Sequence, residues 1–169
     1  MNNQKTKGAF TMIELIFIIV IIGILATIAI PRLAATRDDA EITKARTIIA
    51  SISNAVSIER QKRILRGNFT PIFRLTDTNV LDSRIFNVFD ATANMVIIDN
   101  APFSCATAAD LSCWRETQVG ALNGAGNAVQ TIDQFTYNLP TGGSEVFQLR
   151  NNRFECVNQN SANCRLLTQ

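Results

Sequence analysis

From Phe10 to Ile30 the chain is an almost unbroken apolar run, interrupted by one charge, Glu14. About 20 apolar residues at a rise of about 1.5 Å cross the hydrocarbon core of a bilayer, so the run predicts a membrane-spanning helix. Beyond Pro31 the pattern changes. Ile42, Ala45, Ile49, Ile52 and Val56 recur at alternating spacings of three and four, Ile48 and Ala55 widen the stripe, and Lys44, Thr47, Ser51 and Asn54 fall opposite. The stripe fades after Val56, and Gly67-Asn68 reads as a stop. The expectation is one helix from about Thr11 to Arg66, roughly 80 Å long. Its first half seeks lipid or other helices; its second half lays one face on a folded domain.

Residues 67–133 are less periodic. Phe69–Leu75 and Arg84–Phe89 contain short apolar groups, and Met95-Val96-Ile97-Ile98 reads as a buried strand ended by Asp99-Asn100-Ala101-Pro102. Gly120–Gly126 reads as a connecting loop, because it lacks the Lys and following Ser or Thr of a phosphate cradle. The last third alternates clearly: Phe135, Tyr137 and Leu139, then Phe147 and Leu149, then Phe154 and Cys156, with turns at Thr141-Gly142-Gly143 and Asn151-Asn152. Those turns imply that Leu149 faces Phe154, Phe147 faces Cys156, Tyr137 lines up with Phe147, and Phe135 with Leu149. One face of a three-stranded antiparallel meander would then cover the helical stripe. The expected fold class is α+β: a long N-terminal helix, half transmembrane and half amphipathic, on a small antiparallel head of three to four strands. The expected division is a leader at 1–9, a hydrophobic helix at 10–31, its amphipathic continuation at 32–66 and a head at 67–169.

Charge adds orientation. The 169 residues hold 16 Lys and Arg against 14 Asp and Glu. Lys5 and Lys7 precede the apolar run and place the N-terminus in the cytoplasm by the positive-inside tendency, with the head beyond the membrane. Without residues 1–9 the chain is formally neutral, with +3 over residues 10–66 and −3 over 67–169. Arg60, Lys62, Arg63 and Arg66 are the one candidate footprint for nucleic acid, and equally an ordinary solvated helix end; the acidic remainder argues against a broad DNA surface. Within the apolar run no Lys or Arg can neutralise Glu14, so the candidate counter-charge is an amine made by cutting the chain just before Phe10.

Chemistry is sparse. The chain has no His, the commonest general base and metal ligand, no Gly-x-Ser-x-Gly motif and no tight carboxylate cluster. No catalytic residue, metal or cofactor is therefore expected, and a membrane-tethered periplasmic enzyme or binding domain stands as the second reading. Cys105/Cys113 and Cys156/Cys164 form two equally spaced pairs. Four cysteines allow three connectivities; in an oxidising compartment proximity favours the two local disulfides. A four-Cys zinc site lacks the Cys-x-x-Cys spacing that brings two thiolates to one ion.

The stretch Lys5, Lys7, Gly8, Ala9, Phe10-Thr11-Met12-Ile13-Glu14, Gly23 and Pro31 resembles the class III signal and N-terminal helix of type IV pilins and the pseudopilins of type II secretion. The departure is Ala9, inserted between Gly8 and Phe10. Cutting after Ala9 makes Glu14 fifth and Pro31 twenty-second in the mature chain, the family's spacing. The resemblance implies cleavage between Ala9 and Phe10 by a prepilin peptidase and N-methylation of Phe10. It further implies assembly through Glu14 and Thr11, and a helix weakened around Gly23 and Pro31 that can melt as subunits pack, although a mere Pro kink is equally compatible with the residues. The implied partners are other copies of the chain, minor pseudopilins and an inner-membrane assembly platform; contact with nucleic acid is left open and is more readily indirect. The implied location is the bacterial inner membrane as a single-pass precursor, then a periplasmic or surface filament. Secretion, competence and pilus systems share this stretch and are not separated by it. Glu155 is the only acid after Glu145, so no acidic calcium loop stands out near the C-terminus.

Overall fold

Helix α1 spans Met12–Leu65. The structure, a computed structural model, describes residues 10–77, 80–92, 95–126 and 128–169. It divides into two compact units, Met1–Asp39 and Ala40–Gln169, and α1 contributes to both. In the first, the stretch Met12–Ile30 has a mean hydropathy of 3.0 with none of it buried.

In the second unit, Ile42, Ala45, Ile49, Ile52 and Val56 are all buried, Ile52 and Val56 completely. They share one core with Ile72, Leu75, Phe86, Trp114, Phe135, Tyr137, Phe147, Leu149 and Phe154. Burying an aliphatic side chain of this size stabilises by about 1.5–3 kcal/mol, so the stripe fastens the helix to the sheet. The buried face does not fade after Val56, as the apolar pattern implied. Glu59 and Arg63 continue it at 8% and 5% exposure, because a charged pair can fill a buried position when each neutralises the other. The helix then ends in a Schellman motif. Gly67 has φ 72°, its amide bonds the Ile64 carbonyl and the Asn68 amide the Arg63 carbonyl, both at 2.9 Å.

Among the described residues six strands follow: β1 Cys113–Gln118, β2 Ala121–Leu122, β3 Val129–Thr131, β4 Asp133–Asn138, β5 Ser144–Arg150 and β6 Arg153–Cys156, with a last helix, α2, over Ala162–Thr168. The main sheet is antiparallel in the order β1-β4-β5-β6, and β2 pairs with β3 separately. The layout is α+β and pilin-like. Leu149 opposes Phe154 and Phe147 opposes Cys156, across a turn in which Asn151 and Asn152 both have positive φ.

Three further expectations are corrected. Phe135 opposes Phe147, and Tyr137 opposes Glu145, two residues from the alignment of Tyr137 with Phe147 and Phe135 with Leu149. The turn closes earlier than Thr141-Gly142-Gly143 implied. The Leu139 amide bonds the Gly143 carbonyl at 3.0 Å and the Gly142 amide bonds the Leu139 carbonyl at 3.1 Å, with both glycines left-handed. A slip of two preserves the side-chain parity, so Phe135, Tyr137, Phe147 and Leu149 remain buried. Met95–Ile98 is not a buried strand. Val96 is 54% exposed and makes one isolated bridge to Val88, because the backbone folds back on its neighbours: Met95 accepts from the Phe89 amide and Ile97 donates to Asn87. Finally, the Gly120–Gly126 loop contains β2. Gly120 is there for closeness, since a Cβ would lie 1.7 Å from the Phe73 carbonyl oxygen.

Candidate functional site

The candidate assembly segment begins with a helix cap. The Thr11 hydroxyl accepts the Glu14 amide at 3.3 Å, and the Thr11 carbonyl accepts the Leu15 amide at 3.2 Å. Thr-x-x-Glu is the spacing of a capping box, and a threonine cap contributes about 1 kcal/mol to helix formation. The Thr11 side chain thus has a local duty in starting α1, which the sequence reading missed. Phe10 is 75% exposed, and Glu14 is exposed among apolar neighbours. Around them Ile13, Phe17, Ile24 and Leu25 are each more than half exposed. An apolar surface of this extent needs lipid or protein to cover it. Helix α1 runs through both Gly23 and Pro31; a Cβ at Gly23 would meet nothing within 4 Å, and Pro31 has no amide to donate to the Thr27 carbonyl. Ala9 lies outside the described residues.

In the head, Cys105 is bonded to Cys113 and Cys156 to Cys164. The first loop is braced by Asp110, whose carboxylate accepts the Thr107 hydroxyl at 2.6 Å and the Thr107 amide at 2.7 Å; those bonds, the hydroxyl first, hold Asp110 below the usual carboxylate range. The second bond ties β6 to α2, whose start is capped by Ser161 accepting the Cys164 amide at 2.9 Å. Among the described residues no group of three His, Cys, Asp or Glu gathers as a metal site.

The basic cluster is not an open footprint. Arg63 is buried, its Nε 2.9 Å from Glu59 and its Nη2 2.7 Å from Asp90. Burial works against the guanidinium, but its hydrogen bonds with Glu59 and Asp90 outweigh that and hold it above its ordinary range. Arg60 donates to the Phe69 and Thr70 carbonyls at 3.2 Å. Two of the four cations therefore clasp the chain that follows α1, and Lys62 and Arg66 are left exposed.

Asp90 carries the clasp further. Its Oδ1 accepts the Phe73 and Arg74 amides at 2.9 and 3.0 Å. Arg74 in turn reaches Glu116 on β1, Nε to Oε1 and Nη2 to Oε2, both at 3.4 Å. Beside Glu116 lies Asp133 on β4, wholly buried, accepting the Leu75 amide on Oδ2 and the Gly120 amide on Oδ1, each at 3.0 Å. Burial first, then the Glu116 charge, push the Asp133 carboxyl up to about 8 against the opposing pull of the two amides. Further along β4, burial and then Glu41 raise the Tyr137 phenol to about 12, keeping it a donor to the Glu41 carbonyl at 3.3 Å. The sequence showed these residues as scattered charges; nothing in their spacing foretold that loops would bring them together.

Against known proteins, the chain is 33% identical over 58 residues to the type II secretion system core protein G of Vibrio cholerae serotype O1 (strain ATCC 39315 / El Tor Inaba N16961). That similarity supports a pilin or pseudopilin relationship. The match covers 34% of this chain and 40% of that protein, so it spans less than half of either. No protein-family model matches the chain, and no solved structure matches it.

Proposed function

We propose that this chain is a structural subunit of a type IV pilus-like or pseudopilus filament. The observation that carries the reading is the exposed apolar helix from Met12 to Ile30, capped by Thr11, bearing the lone carboxylate Glu14 and leading to an α+β head. The partial similarity to a type II secretion core protein G supports it. In this reading a prepilin peptidase removes residues 1–9, cutting between Ala9 and Phe10, and the new Phe10 amine is methylated. The precursor waits in the inner membrane with its N-terminus cytoplasmic and its head periplasmic, and an assembly platform passes it into a filament with further copies and minor pseudopilins.

The physical logic of assembly is charge neutralisation. As Glu14 leaves the interface for the apolar filament interior it meets the Phe10 amine of the subunit already in place, and both charges are buried together. Removing one member of such a pair leaves the other bare, at a cost of about 3–5 kcal/mol. Gly23 and Pro31 weaken the helix between them enough to adjust as neighbours pack. The working division is a leader at 1–9, an assembly helix at 10–31, its continuation at 32–66 and a head at 67–169.

The test is to isolate the filament fraction and measure the intact mass of its subunit. The expected result is a chain that begins at methylated Phe10 with both disulfides intact. Filaments containing subunits that retain Ala9 would refute the cleavage placement, and the protein's consistent absence from any filament fraction would refute the function.

A further inference from the structure

Three ionisable groups meet at the junction of β1, β4 and the segment after α1, and their charges do not balance. Asp133 is fully buried, the Glu116 side chain is 2% exposed, and Arg74, bonded to Glu116, is the one cation paired with either carboxylate among the described residues. Two carboxylates and one guanidinium leave one negative charge in excess, in a place where an uncompensated charge is expensive. A single proton shared by the carboxylates removes the excess. The neighbouring groups offer no alternative: Asp90, on the other side of Arg74, is already engaged by Arg63, and Arg63 also serves Glu59. Arg115, next along β1, makes no ion pair with either carboxylate among the described residues.

We propose that Asp133 and Glu116 hold one proton between them, and that this proton is a latch closing the 73–75 segment and the Gly120 connection onto the sheet. The geometry supplies the reason. Asp133 binds both closing elements at once, through the Leu75 and Gly120 amides. Gly120 is pressed so close to Phe73 that no side chain would fit. The bulge between Glu116 and Gln118 interrupts the regular ladder beside it. Loss of the proton puts two like charges side by side on this joint, and the joint rather than the sheet interior is where the strain is relieved. The raised affinity of Asp133 for its proton agrees with that arrangement. Opening frees the Gly120 connection and, with it, the β2–β3 hairpin.

The test uses the full chain in detergent micelles, with carbon-13 in its Asp and Glu carboxyls, titrated by NMR. The expected result is one proton retained by the Asp133–Glu116 pair until pH about 8, as the raised Asp133 carboxyl requires. Over the same interval, exchange of the Leu75 and Gly120 amides should accelerate by more than the tenfold per pH unit of base catalysis. Glu116→Gln removes the like charge and should move the Asp133 transition to lower pH. Should both carboxyls of the wild type lose their protons near pH 4, or should the transition occur without any added exchange at Leu75 and Gly120, the latch is wrong.

Discussion

Replacing Arg63 with Met tests the buried clasp at the end of α1. Met preserves much of the side-chain length and adds no charge, so the loss is chiefly electrostatic. Arg63 Nε lies 2.9 Å from Glu59 and Nη2 lies 2.7 Å from Asp90, with the Arg63 and Glu59 side chains 7% and 10% exposed. Both carboxylates would be stranded. Breaking a buried pair by removing one partner costs about 3–5 kcal/mol, a large share of the roughly 5–15 kcal/mol that holds a typical domain together. At a urea slope of about 2 kcal/mol per M, the midpoint should fall by about 1.5–2.5 M. Trp114 is the sole tryptophan and is 2% exposed in the core, so its fluorescence reports unfolding of the head in the full chain held in detergent. A second substitution separates charge from packing. If the cost is the bare Glu59 charge, Glu59→Gln should be less damaging in the Arg63→Met background than in the wild type, with a coupling of about 1–3 kcal/mol. A midpoint within about 0.3 M of wild type, or strict additivity of the two changes, would refute the view that these charges stabilise only as a unit.

Gly120→Ala places a Cβ 1.7 Å from the Phe73 carbonyl oxygen; the backbone must part there, and near-ultraviolet circular dichroism should show loss of fixed tertiary structure or a strongly lowered melting temperature. Replacing Cys156 and Cys164 together by Ser opens a loop whose ends are 8 residues apart and should cost about 2–3 kcal/mol on the chain-entropy account, read as a lowered urea midpoint. The pH dependence has a definite sign. Because the folded-state pKa of Asp133 is raised to about 8 from an ordinary 3.8, the fold holds a proton that the unfolded chain releases. Stability from this group is therefore fully present below about pH 4 and declines as pH climbs to about 8. Asp133→Asn should remove that slope between pH 5 and about 8 in urea titrations, even though an amide cannot accept from both Leu75 and Gly120.

The elements legible in the sequence were those with a long period or strict alternation. The Ile42–Val56 stripe and the Phe147–Cys156 hairpin emerge as drawn because each is fixed by local repetition and, for the hairpin, by a two-residue turn. The register of β4 on β5 was misjudged because two adjacent glycines permit turns of different length, and both lengths keep the same residues inside. Strand β1 and helix α2 went unread. The Cys113–Gln118 segment alternates Trp114 and Glu116 inward, one apolar and one charged, which hides its period, and α2 is only seven residues long. Least legible was the network of ion pairs and carboxylate–amide bonds from Glu59 to Asp133. Its members lie on α1, loops and two strands, so only the tertiary fold brings them into reach. Thr11 and Glu14 were noticed as an assembly signature, while their capping geometry, readable from Thr-x-x-Glu, passed unremarked.

The central claim is that Glu14 acts as a charge when one subunit joins the next. The direct measurement is filament yield from cells in which Glu14→Gln is the sole source of this subunit. Gln retains the shape and the amide that Thr11 caps, so insertion and removal of the leader should proceed normally, as judged by the intact mass of the membrane-held subunit. The account predicts processed subunits in the membrane and filaments at the limit of detection. Wild-type abundance of filaments built from Glu14→Gln subunits alone would contradict it.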